Sequence, residues 1–191
     1  TNFSFSPVGS TVRMSPAIFA WTGATINRFE PVPGLDGIGF LAYRVTNPSP
    51  GVWHYEYAVY NQNLDRGIQS FSVPVGSGVV INNVEFHAPP NHPGIANDGT
   101  QGDAGYSNSP WTPNQSGSDL SWSSQTFAAN QNANAIRWGS LYNFRFDCNR
   151  APQATNATIG FFKTGAPITV PNQAPSLHVQ SSRCPECSRT R

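Results

Sequence analysis

In the run Val52-Trp53-His54-Tyr55-Glu56-Tyr57-Ala58-Val59-Tyr60, every second residue from Trp53 to Val59 is large and apolar. Side chains alternate along an extended chain, so Trp53, Tyr55, Tyr57 and Val59 share one face while His54, Glu56, Ala58 and Tyr60 share the other. The same reading, with ends set by Gly, Pro and Asn, predicts strands over 11–21, 25–32, 38–46, 52–61, 68–75, 79–87, 120–123, 140–148, 158–163 and 168–170. About ten short strands with this punctuation imply an all-β fold, a single antiparallel β-sandwich with the jelly roll as one candidate arrangement. Its predicted core is Phe40, Trp53, Tyr55, Tyr57, Phe71, Phe144, Phe146 and Phe161, each in a strand-like run with an apolar neighbour two residues away.

The connections differ in character. Gly76-Ser77-Gly78, between Val75 and Val79, predicts a tight hairpin, whereas 61–67 reads as a longer turn in which Asn and Asp side chains fold back on the backbone. The stretch 88–117 carries Pro89, Pro90, Pro93, Pro110 and Pro113 and holds little that can pair in a central sheet, so a long Pro/Gly-rich loop is expected there. Residues 128–135 are polar and read as a loop or a short helical turn. With 191 residues, one sandwich domain over 1–170 followed by a Pro/Ser/Arg-rich tail over 171–191 is the expected organisation.

Charge narrows the partners. The formal net charge is +1 and the only lysine is Lys163, which leaves no basic stripe for a run of phosphates and excludes nucleic acid as an expected partner. No segment approaches the roughly 18–20 apolar residues of a transmembrane helix. The chain begins at Thr1 and is rich in Asn, Ser, Gly and Thr, which suits a secreted protein, extracellular or at the cell surface, whose leader has been removed; a trimmed chain is the alternative. Asn2, Asn114 and Asn156 each open a glycosylation sequon.

Cys148 shares a strand face with Tyr142, Phe144 and Phe146 and points to the core. In an exported protein it could form a disulfide with Cys184 or Cys187, leaving one thiol over; the alternative is a buried free thiol.

Catalytic signatures are weak. Glu56 and Glu85 are the pair of strand acids considered for catalysis, and they meet only if those strands are neighbours. No Gly-x-Ser-x-Gly elbow occurs. His87 and His92 could approach each other and hold a metal with Glu85 or Asp98, although two loop histidines are more often idle. Asn97, Asp98 and Asp103 lie in an oxygen-rich, glycine-bent segment suited to calcium, with plain turn chemistry as the competing explanation; no cofactor is required. Trp111 and Trp122 flank a polar loop with Asn114 and Gln115, the chemistry of a sugar-stacking platform and equally of a hydrophobic anchor.

The runs 55–66, 69–74 and 134–147 resemble a group of exported bacterial β-rich proteins of unknown function. The resemblance implies export and a β architecture and carries no catalytic residue. The expected function is therefore a non-catalytic extracellular structural or interaction protein. It would associate with copies of itself as a matrix or filament subunit, through exchange of a terminal strand at 3–8 or 168–170. The alternative is a carbohydrate-binding module that uses Trp111, Trp122, Asn114 and Gln115 on extracellular glycans.

Overall fold

The structure, a computed structural model, describes residues 6 and 9–175. Asn2, His178, Cys184, Cys187 and nearly all of the 3–8 strand lie outside the described residues. In chain order the strands are β1 (Thr25–Phe29), β2 (Gly39–Ser49), β3 (Val52–Asn61), β4 (Ile68–Pro74), β5 (Ile81–His87), β6 (Thr112–Ser116), β7 (Asp119–Ser123), β8 (Ser140–Cys148), β9 (Pro152–Phe161) and β10 (Ile168–Pro175). They form two antiparallel five-stranded sheets, ordered β1-β2-β3-β8-β5 and β10-β9-β4-β7-β6, which pack as an all-β sandwich.

The aromatic alternation in β3 is what joins the sheets. β3 pairs with β8 in a register that sets Tyr55 opposite Phe146 and Tyr57 opposite Phe144 on the inner face, all four fully buried. Phe71 of β4 and Trp122 of β7 reach them from the other sheet, with ring centroids 4.8 Å apart for Phe71 and Phe144 and 5.4 Å for Trp122 and Phe144. Such contacts add roughly 0.5–1.5 kcal/mol per pair to the area term. The buried phenols keep partners: Tyr55 donates to the Arg150 carbonyl and Tyr57 to the Gln173 carbonyl, both at 2.8 Å.

A smaller cluster covers part of the first sheet from outside. The run 11–21, expected as a strand, is irregular and contains a 3-10 turn, Ala17–Ala20. Pro16 supplies no N–H for a ladder, and the turn instead lowers Ile18 onto Phe40, Ala42 and Ala58. Phe40 is therefore buried on this outer face, outside the main core, and Trp53 is only half-buried at the rim.

Four other expectations are corrected. Residues 75–79 form no hairpin: β4 and β5 belong to different sheets, and the segment arches between them with Val75 and Val79 buried. Val75 N and Gly76 N donate to Ser118 O at 2.7 and 3.1 Å, and Gly76 and Gly78 take φ of +74° and +71°. Residues 112–116, expected within the loop, form β6, whose edge position tolerates Pro113. β9 starts six residues earlier than expected because a polar, alternately exposed run pairs with β10. β10 continues to Pro175 and buries Asn172 and Ala174, so the expected boundary at 170/171 falls inside a strand.

The excursion before β6 is ordered by amide side chains in place of a sheet. Asn91 N donates to Asn108 Oδ1 at 2.6 Å, and Asn108 Nδ2 returns a bond to Asn91 O at 3.0 Å. Asn132 spans Gln101 in the same two-way fashion, at 2.8 and 2.9 Å. Residues 128–135 are thus a turn-rich loop that clamps the excursion to the sandwich.

Truncation of Phe71 to Ala is expected to lower unfolding free energy by about 3–5 kcal/mol in a urea titration, the usual loss for a fully buried Phe. A loss below about 1 kcal/mol would place the core elsewhere. Burial also pushes the Tyr142 phenol up to about 12 from 10.0, so it stays neutral in the fold while the unfolded chain ionises. Its contribution is complete below pH 10 and is lost between pH 10 and about 12. Tyr142→Phe should flatten the pH dependence of the urea midpoint in that window; an unchanged slope would contradict it.

Candidate binding site

The platform expected around Trp111 and Trp122 does not form, because both rings are inside, with 1% and 0% of their surface exposed. Trp111 returns the excursion to the sandwich by wedging against Phe86, Tyr142 and Phe144. Its Nε1 donates to Asn134 O, and Asn134 Oδ1 accepts from Tyr142, both at 2.5 Å. Trp122 and Leu120 share the inner face of β7, while Asn114 and Gln115 lie exposed on β6, so the two rings and the two amides present no common surface. Asn156 is exposed on β9.

Asp98 is occupied by its own turn. Its Oδ1 accepts from Thr100 N and Oγ1 at 2.8 and 2.6 Å, and its Oδ2 accepts from Ile95 N at 3.1 Å. The Thr100 bonds hold this carboxyl below its usual range. Asn97 and Asp103 occupy left-handed positions, φ +62° and +52°, as turn residues do. Among the described residues, no group of three or more His, Cys, Asp or Glu is placed to hold a metal ion. His92 Nδ1 lies 2.7 Å from Pro93 O, and His87 sits opposite Asn143 at the end of β5. Cys148 is buried and its Sγ lies 3.5 Å from Arg150 O; burial pushes the thiol above its ordinary pKa.

Glu56 and Glu85 are not paired, because β8 runs between their strands and brings Arg145 between them, although both line one shallow concavity of about 360 Å³. Arg145 Nε donates to Glu85 at 2.8 Å and its Nη2 closes the ion pair. With Arg44 opposite Glu56, one row across the outer face alternates Arg44, Glu56, Arg145, Glu85. In the next row His54 Nδ1 and Asn83 Nδ2 lie 2.6 and 2.7 Å from the Asp147 oxygens, and these bonds hold Asp147 below the usual carboxylate range against the opposing effect of burial. Glu85 is engaged by Arg145 and Asp147 by His54 and Asn83, while Glu56 stands in register between Arg44 and Arg145, a ladder that stabilises a solvated face. No nucleophile among the described residues is hydrogen-bonded to His54.

A different arrangement stands where β3, β8 and β9 meet their loops. Asn61, the last residue of β3, is fully buried; its Nδ2 donates to Leu64 O and Ile136 O, both at 3.0 Å, and its Oδ1 accepts from Leu64 N at 2.7 Å. Ile68 and Ile136 exchange two backbone bonds, at 2.9 and 3.1 Å, and Gly139 N donates to Asn61 O at 2.8 Å. The loops 61–67 and 134–139 are thus locked side by side. Lys163 N donates to Arg66 O at 2.8 Å, which sets the Lys163 ammonium 3.0–3.1 Å from the Asp65 carboxylate.

On this base lies a concavity of about 280 Å³ lined by Leu64, Asp65, Gly67, Tyr106, Arg137, Trp138 and Lys163. The Arg137 guanidinium is 3.8 Å from the Tyr106 ring centroid and 5.1 Å from that of Phe162, and its Nη2 donates to Gln131 O and Ala133 O at 3.0 and 3.3 Å. Burial holds it below its ordinary pKa; an arginine remains charged at neutral pH nonetheless. Beside it Trp138 keeps 63% of its surface exposed, whereas the other four tryptophans are buried or half-buried. Sequence reasoning missed this group because Tyr106, the Arg137-Trp138 pair and Lys163 come from three separate loops. The one local signal was a Trp between Arg137 and Gly139, outside any alternating run.

No family model matches the sequence, and no curated protein is similar to it.

Asn61→Ala leaves the Leu64 amide and two carbonyls without their side-chain partner, at about 1–3 kcal/mol for a buried group so orphaned. We expect a loss of about 2–4 kcal/mol in unfolding free energy and faster exchange of the Leu64 amide in hydrogen-exchange NMR. A change within about 0.5 kcal/mol, the range of ordinary surface substitutions, would mean the loops are held without it.

Proposed function

We propose that this chain is a non-catalytic, exported interaction domain that recognises its ligand at the Trp138 concavity. The observation that carries the reading is an exposed indole on a locked support. At about 25 cal/mol per Å², covering 100 Å² of that ring contributes roughly 2.5 kcal/mol. The loops beneath are already ordered by Asn61 and Asn134, so little further entropy is lost on binding. An aromatic face beside hydrogen-bonding groups suits a sugar ring, which moves the carbohydrate reading from Trp111 and Trp122 to Trp138. The non-catalytic part of the proposal draws on the engagement of Glu85 by Arg145 and of Asp147 by His54 and Asn83.

Assembly through strand exchange has less support. Residues 168–170 are paired with β9 in their own sheet. Every sheet edge also carries a feature that opposes an incoming strand: Arg28 on the five-residue β1, the irregularity between Asn82 and Glu85 on β5, Pro113 on β6, and Pro171 with Pro175 on β10.

Light scattering should give a monomer from micromolar to millimolar concentration. Concentration-dependent particles that disappear on deletion of residues 1–9 would restore the strand-exchange reading. On a glycan array the protein should give hits that Trp138→Ala abolishes and Trp111→Phe preserves; hits unaffected by Trp138→Ala would place recognition elsewhere.

A further inference from the structure

Resting on that reading, we infer that the Trp138 concavity selects an acidic sugar, a pyranose ring bearing a carboxylate such as a uronic acid residue, with Trp138 against the ring and Arg137 and Lys163 toward the carboxylate. The concavity carries an unbalanced charge. Among the described residues, Arg28, Arg66, Arg145 and Lys163 each have a carboxylate partner, as does His54. Arg13 and Arg44, both exposed, have none, and neither do the half-buried Arg137 and Arg150; of these four only Arg137 lines the concavity. Its Nη2 bonds only to neutral carbonyls, and its Nε is buried without a partner. A partly desolvated cation without an anion is costly, and a ligand carboxylate in the concavity would relieve that cost.

Lys163 strengthens the same preference. It is the only lysine in the chain and lines the concavity from the loop that follows β9. Its partner Asp65 is 75% exposed on its side chain, so the pair is solvated and can open toward a second anion at little cost. The formal balance at the concavity is two cations against one carboxylate. With both Arg137 Nη2 hydrogens given to Gln131 O and Ala133 O, Nη1 is the edge of the guanidinium left for a ligand carboxylate, and the 3.8 Å contact with Tyr106 fixes its plane before ligand arrives. Trp138 contributes what a simple anion site would lack, an indole that keeps 63% of its surface exposed.

The test is a titration of the intact chain, followed by tryptophan fluorescence and calorimetry, with oligogalacturonate, the same oligomer methyl-esterified, a neutral galactose oligomer and polyglutamate. Oligogalacturonate should bind about tenfold or more tighter than its methyl ester, the scale of one charge-assisted contact. That advantage should shrink in 0.5 M salt and in Lys163→Gln. Arg137→Lys, which keeps the charge and loses the fixed guanidinium plane, should reduce it, and an advantage left at the parent value would overturn the part given to Arg137. Equal affinity for acid and ester would overturn the acidic preference and leave the Trp138 reading standing. Polyglutamate binding as tightly as the uronate would overturn the sugar in favour of an acidic peptide. Binding of none of the probes, with no glycan-array hit dependent on Trp138, would overturn both.

Discussion

Burial of the aromatic face of β3 against the opposite sheet is the contact on which the rest of the molecule depends. Tyr55 and Tyr57 alternate with polar residues on one strand, β8 adds Phe144 and Phe146 in register, and Phe71 and Trp122 close the group from the second sheet. A shift of one residue in the β3 and β8 pairing would turn the rings of one of these two strands to the outside, because the side-chain period is two. The register therefore fixes what appears on the outer face as well. Glu56 must face Arg145, His54 must face Asp147, and Ala58 must leave room for Ile18.

Asparagine does the second part of the structural work. A chain with few charges and many turns must satisfy backbone groups that no ladder reaches. Asn61, Asn91, Asn108, Asn132 and Asn134 each bond backbone of a distant segment, and together they hold the excursion and the loops 61–67 and 128–139 against the sandwich. The support under Trp138 is a product of these amide ties. An exposed Trp on an unanchored loop would lose more entropy on binding, so the order of the loops is what makes the concavity suited to recognition.

Much of the fold was legible because alternation is a local signal: β3 and β8 were bounded to the residue, and the inner face of each was assigned correctly. Strands without apolar alternation were not legible. β6 is exposed along its length, and the first half of β9 is polar, so their pairing is set by neighbours that a linear reading does not see. Gly76-Ser77-Gly78 has hairpin composition yet crosses between sheets, a distinction that depends on which strands are already paired. The candidate site was least legible of all. Trp111 and Trp138 both stand outside alternating runs, and only packing decides that the first meets Phe86 and Tyr142 while the second meets solvent.

The proposed recognition role makes one indole different from the other four. NMR of the indole Nε1–H resonances during titration with an acidic oligosaccharide measures that difference in a single spectrum. The Trp138 resonance should shift progressively and saturably while those of Trp111 and Trp122, enclosed in the core, remain in place. A saturable shift of Trp21 or Trp53 with Trp138 unmoved would contradict the proposed site.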